Sequence, residues 1–194
     1  MLYELATESE QSILQEQYDV APFSVMTITI ERIFIDKLFA AEAYVRQSTD
    51  PQRAFEAAKH IYDLVVMRQQ PNIQNLLADE DLIKKLLDIR IEEEAGRLDG
   101  IPGVMPKDFT FFDAAVDSNA VRRAYAVMQA QYVLRTEDRI EYADAMAALG
   151  EIRNSLLGCK VWTTYEPSKE VQQHIQQIKS ERLHTTKNRN NRER

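Results

Sequence analysis

The sequence predicts a mainly α protein, a helical bundle with one short N-terminal strand, and three observations carry that prediction. Apolar residues recur three and four positions apart in one stretch after another, which is the spacing of amphipathic helices. Glycine and proline are sparse, five and six in 194 residues, and fall largely where those stretches should end. One early segment, Phe23–Ile28, alternates and carries β-branched residues in the manner of a strand. A single strand cannot make a stable sheet, so helices must supply the core.

The elements follow in order. Residues 1–22 form an N-terminal segment with a short helix at Glu8–Gln17, closed by Pro22. The strand Phe23–Ile28 feeds a helix whose stripe is Ile30, Ile33, Phe34, Leu38, Ala41, Tyr44 and Val45. Ser48-Thr49-Asp50-Pro51 breaks it, with Asp50 placed to cap the next helix and Pro51 as its first residue. That helix, Pro51–Arg68, stops before Pro71. A short helical piece covers Asn72–Leu77, and a longer helix runs from Asp79 to Leu98 on Leu82, Ile83, Leu86, Leu87 and Ile89. Asp99–Lys107 is a loop with two glycines and two prolines. A further element starts at Phe109–Ala115, Ser118 or Asn119 caps a helix to Leu134, and another helix covers Asp138–Leu157. Val161–Tyr165 reads as a short strand or extended segment, Glu170–Leu183 as a last amphipathic helix, and Thr185–Arg194 as a disordered basic tail. The domain reading is therefore 1–22, a helical domain over 23–165, a helix over 166–184 and a tail over 185–194.

Composition excludes several classes. A net charge of −7 argues against a general nucleic-acid-binding surface, although residues 181–194 hold five basic side chains against two acidic ones. The lone Cys159 excludes a disulfide framework and a cysteine zinc site. No apolar run approaches the roughly 18 residues of a membrane span, and the acidic start does not read as a signal peptide. A cytoplasmic protein is the expectation.

One polar residue stands out. Lys37 lies inside the apolar stripe of its helix, and Asp63 lies on the next. At about 1.5 Å per residue, Lys37 precedes the turn by roughly 15 Å and Asp63 follows it by roughly 18 Å, so an antiparallel hairpin brings them to nearly the same height. The spacing leaves alternatives open. Lys37 can snorkel from the stripe's edge to water, and Asp63 can pair with Lys59 four residues before it. The acidic triplet Glu92-Glu93-Glu94 reads as a solvated face, Asp79-Glu80-Asp81 as helix capping, and Tyr125 and Met128 as core. Trp162 and Tyr165 pack either on the bundle or on a partner. His60 reads as a partly exposed helix residue, and His174 and His184 lack metal-ligand spacing.

Two short motifs carry a resemblance. Thr29–Phe39 (TIERIFIDKLF) and Lys59–Leu64 (KHIYDL) resemble the third and fourth motifs of the AbiEii/AbiGii nucleotidyltransferase toxins of type IV toxin–antitoxin systems, within the DNA-polymerase-β-like superfamily. Glu31, Arg32, Lys37, His60, Tyr62, Asp63 and Leu64 match that pattern; Ile33, Asp36 and Lys59 depart from it. Val121–Met128 and Ile140–Ile152 resemble the family's late helices. The resemblance implies Lys37 and Asp63 as catalytic residues, with Lys37, Arg32 and His60 contacting a nucleotide. It also implies Mg²⁺ and an NTP as requirements of a complete enzyme, and RNA as an acceptor.

The chain departs from the superfamily in one important respect. Such enzymes use a Gly-Ser turn to approach a triphosphate and an Asp-x-Asp pair to hold Mg²⁺. No glycine here precedes serine, and the sole Asp-x-Asp, Asp79-Glu80-Asp81, stands at a helix start. The expectation is therefore a C-terminal half that binds no metal or cofactor alone and is inactive until completed by a missing N-terminal half. The other expectation is a non-catalytic helical module that binds an antitoxin or partner chain.

Overall fold

The computed structural model describes residues 7–18, 27–96 and 104–178. Among them every regular element is a helix. These are α1 (Glu8–Tyr18), α2 (Ile30–Arg46), α3 (Pro51–Met67), α4 (Pro71–Ala78), α5 (Glu80–Gly96), α6 (Phe111–Asp117), α7 (Asn119–Tyr132), α8 (Tyr142–Gly158) and α9 (Lys160–Thr164), followed by α10 over residues 169–178. Single 3-10 turns, Pro106–Asp108 and Thr136–Asp138, precede α6 and α8.

The helices begin where side chains satisfy free backbone N–H groups. Thr29 caps α2 through Arg32 N, and Asp50 caps α3 through Gln52 N and Arg53 N, with Pro51 at its first position. Asp79 accepts from Leu82 N at the start of α5, as the capping reading of that acidic run requires, and Ser118 accepts from Val121 N at the start of α7.

The core is assembled around α2 and α3, which form an antiparallel hairpin across residues 47–50. Phe34, Leu38 and Ala41 of α2 and Ala57, Ala58, Ile61 and Leu64 of α3 are completely buried. α7 and α8 cover the other side of α3, while α4, α5 and α6 cover α2. Tyr125 and Met128 lie in this core, as do Trp162 and Tyr165, so the last two pack on the bundle itself.

Three expectations are corrected. Of the strand Phe23–Ile28, residues 23–26 lie outside the described residues, and Thr27 and Ile28 are not in a strand. Val161–Tyr165 is no strand either. Cys159 Sγ accepts from Trp162 N, the Thr163 and Thr164 hydroxyls donate to Lys160 O, and burial of Trp162 fixes the resulting turn as α9. The triplet Glu92–Glu94 is not a purely solvated face: Glu94 is buried and takes a 2.5 Å bond from Arg90, while Glu93 pairs with Arg32 and Glu92 with His174. The basic tail, Thr185–Arg194, lies outside the described residues, as does His184. Among the described residues no helix is long and apolar enough to cross a membrane.

Candidate active site

Lys37 and Asp63 meet. Lys37 Nζ donates to Asp63 Oδ2 at 2.5 Å, joining α2 to α3 across the hairpin. Lys37 follows the buried Phe34 by three residues and precedes the buried Ala41 by four, so its stem lies along the interface. Its head is part-exposed, as is the Asp63 carboxylate, at 27% and 39%. Lys59 pairs with Glu56 at 3.0 Å, so the Lys59–Asp63 alternative is not the arrangement adopted.

His60 lies one turn before Asp63. Its ring stacks on Tyr44 at 5.3 Å between centroids and 24° between planes, and its buried Nδ1 has no hydrogen-bond partner. Burial, followed by the neighbouring Lys37 charge, lowers its pKa from 6.5 to about 4. The imidazole is therefore neutral at physiological pH and presents no cation to a phosphate. Because this pKa is depressed, the unfolded chain takes up the proton first as pH falls. Stability is intact above about pH 6.5 and is lost progressively toward pH 4. His60→Phe, which keeps the ring stack, will flatten the dependence of stability on pH between 7 and 5 in urea titrations; an unchanged slope would contradict this account.

Arg32 is turned elsewhere. Its guanidinium bonds Asp36 Oδ1 at 3.1 Å and Glu93 Oε2 at 2.5 Å. Asp36 also lies 3.5 Å from Arg90, which is 2% exposed and sits over the Phe39 ring at 5.1 Å. This network ties α2 to α5. Lys37, Asp63 and His60 thus converge, whereas Arg32 belongs to the α5 side.

Two features escaped the sequence reading. Tyr44, counted as one more apolar stripe residue, is the platform for His60. Glu42, 1% exposed, accepts from Thr110 N at 2.9 Å, Phe111 N at 2.8 Å and Arg46 Nε at 2.5 Å, so it caps α6 from another helix. A signal for Glu42 exists only in hindsight: a carboxylate one residue after Ala41 falls on the buried arc.

Among the described residues no group of three or more His, Cys, Asp or Glu side chains is placed to hold a metal ion. The pair therefore offers one ammonium oriented by one carboxylate beside a neutral imidazole. That arrangement can stabilise anionic charge when the ammonium turns to a ligand.

No curated protein and no solved structure matches the chain. Residues 3–150, which include α2, α3 and both motifs, match the family model described as nucleotidyl transferase AbiEii toxin, type IV TA system. Membership of a toxin–antitoxin family implies an antitoxin as partner. With about three quarters of its length matched and the two motif residues in contact, the chain belongs to the AbiEii nucleotidyl transferase toxin family.

Proposed function

We propose that Lys37 and Asp63 serve transfer of a nucleoside monophosphate from an NTP to an acceptor, with RNA as the acceptor class. The supporting observation is the Lys37–Asp63 contact in a chain of this family. In such a transfer an acceptor hydroxyl oxygen bonds to the α-phosphorus and gives up its proton to solvent, the bond to pyrophosphate breaks, and negative charge builds on the phosphoryl oxygens. Lys37 neutralises that charge, and Asp63 positions the ammonium by accepting a hydrogen bond from it. Arg32 reaches a nucleotide only by leaving Asp36 and Glu93, and His60 contributes as a neutral ring. The setting is a cytoplasmic toxin restrained by its antitoxin and acting in phage defence.

Mg²⁺ is the usual counter-charge to a triphosphate, but among the described residues no cluster of carboxylates is placed to hold it. The Gly-Ser turn and the Asp-x-Asp pair that this transfer requires therefore belong, on this reading, to another polypeptide segment. A second reading is a helical module that binds an antitoxin or partner chain without catalysis, and membership of a toxin–antitoxin family supports such a partner.

Radiolabelled NTPs and total RNA separate the two. The 194-residue chain alone will label no RNA, and labelling will appear when a polypeptide bearing the Gly-Ser turn and Asp-x-Asp pair is added. Robust labelling by the chain alone would overturn the need for outside carboxylates. Complex formation without labelling would establish the module reading instead.

A further inference from the structure

The Lys37–Asp63 pair continues along the hairpin as an ordered row of side chains. Tyr44 lies two helical turns after Lys37 on α2, and His60 lies one turn before Asp63 on α3, so both fall on the face that carries the ion pair. Arg53 is a further two turns back on α3, about 10.5 Å from His60 along the helix axis. The centre of the Tyr44 ring is 5.3 Å from that of His60 and 5.4 Å from the Arg53 guanidinium carbon, so the ring is held between them. Ring stacking on one side and a cation over the other both favour this order. Tyr44 thereby fixes the plane of the imidazole.

A fixed plane gives the two ring nitrogens different surroundings. Nδ1 is sealed from solvent with no hydrogen-bond partner, and Nε2 is the nitrogen left at the open edge of the ring. A neutral imidazole carries one N–H. On Nδ1 that proton would be a buried donor with no acceptor, an arrangement rarer in folded proteins than an unanswered acceptor. The proton therefore rests on Nε2, and His60 offers an outward N–H. Among the charges around the ring the Lys37 ammonium acts most strongly, ahead of Asp63, Glu56 and Lys59, and burial together with that ammonium keeps the imidazole neutral. Lys37 uses one of its three N–H groups on Asp63. The remaining ammonium donors and the imidazole N–H are neighbours on one face, and the group that answers several neighbouring donors, one of them charged, is an oxyanion that can only accept.

We infer that His60 is a hydrogen-bond donor of this site, giving its Nε2–H to a phosphoryl oxygen that Lys37 also holds, and that Tyr44 is the positioning residue that aims this N–H. The inference rests on the transfer reading and deepens it. A neutral donor adds a hydrogen bond to the phosphoryl group without repelling Lys37 or competing with it for Asp63.

Histidine nitrogen-15 spectra of the full chain at neutral pH, with pyrophosphate as the probe, test it, and His60→Phe identifies the His60 signals. The Nε2–H form will dominate at His60, and pyrophosphate will shift its Nε2 signal saturably while leaving those of His174 in place. His60→Phe, which keeps the ring stack, will weaken pyrophosphate binding roughly tenfold by calorimetry. Tyr44→Phe will respond as the parent does, whereas Tyr44→Leu will weaken the Nε2 response about fivefold or more with Lys37 still present. Where Tyr44→Leu fails to fold, His60→Phe carries the test. An NTP that shifts the same signal at lower concentration than pyrophosphate identifies a nucleotide as the source of the phosphoryl group, and the reverse order identifies free pyrophosphate. A dominant Nδ1–H form, a His60 signal indifferent to pyrophosphate, or an equal response to sulfate would overturn the donor assignment, and a parent-like response in Tyr44→Leu would overturn the role of Tyr44. If pyrophosphate shifts His60 while no assembly transfers nucleotide, the donor assignment stands and the transfer reading fails. If an assembly carrying His60→Phe transfers nucleotide at the parent rate, the reverse holds.

Discussion

Replacing Glu42 by alanine will destabilise the protein by about 3 kcal/mol or more, because it strips acceptors from two backbone donors at once. The carboxylate is 1% exposed and serves three groups of one distant segment: Thr110 N, Thr110 Oγ1 at 3.3 Å and Phe111 N. Truncation leaves two backbone donors at the start of α6 without acceptors in a place water reaches poorly, and each such donor costs about 1–3 kcal/mol. The vacated space adds a cavity term. Arg46, also bonded to Glu42, is 37% exposed at its side chain and can turn to solvent, so its loss of a partner adds little. Glu42→Gln retains one carbonyl acceptor and will lose less than Glu42→Ala. Chemical denaturation monitored through Trp162, which is buried near this segment and edge-on to Phe109 at 5.5 Å, reads both variants. A Glu42→Ala protein within about 1 kcal/mol of the parent would mean that the cap is dispensable.

The hairpin was readable from local rules because each one pointed the same way. The stripe from Ile30 to Val45 gave α2 its buried face, Asp50-Pro51 gave α3 its start, and the helical rise alone put Lys37 opposite Asp63. What stayed hidden is tertiary in origin. Asp36, Arg32, Arg90, Glu93 and Glu94 form one network, yet the residues from α2 and α5 are more than fifty positions apart, and nothing local announces that they meet. Part of it was nevertheless legible: Arg90 and Glu94 are four residues apart on one helix, a spacing that brings side chains together. Reading the triplet Glu92–Glu94 by composition rather than by that periodicity placed Glu94 in solvent. Val161–Tyr165 misled through its β-branched and aromatic content, where burial of Trp162 and the Cys159 cap overrode strand preference. In the candidate site, the meeting of Lys37 with Asp63 followed from chain geometry. The direction of Arg32 and the Tyr44 platform under His60 depended on helices whose angles the sequence does not encode locally.

Lys37→Met is the variant with the largest expected effect on activity. The Lys37–Asp63 pair is part-exposed on both sides, so its removal changes stability by no more than about 1 kcal/mol, and methionine covers the same apolar stem contacts. Under the proposed assignment transfer depends on the ammonium itself, because Lys37 is the cation bonded to Asp63. Lys37→Met in the assembled enzyme will reduce nucleotide transfer by at least about a hundredfold, the scale of losing one charge-stabilising group at a transition state. Asp63→Asn, which keeps shape but loosens the hold on Lys37, will give a smaller loss. The decisive measurement is the rate of nucleotide transfer by the assembled Lys37→Met enzyme, taken together with its thermal midpoint. Loss of transfer with an unchanged midpoint is the expected result, and full transfer by Lys37→Met would contradict the assignment of this pair to catalysis.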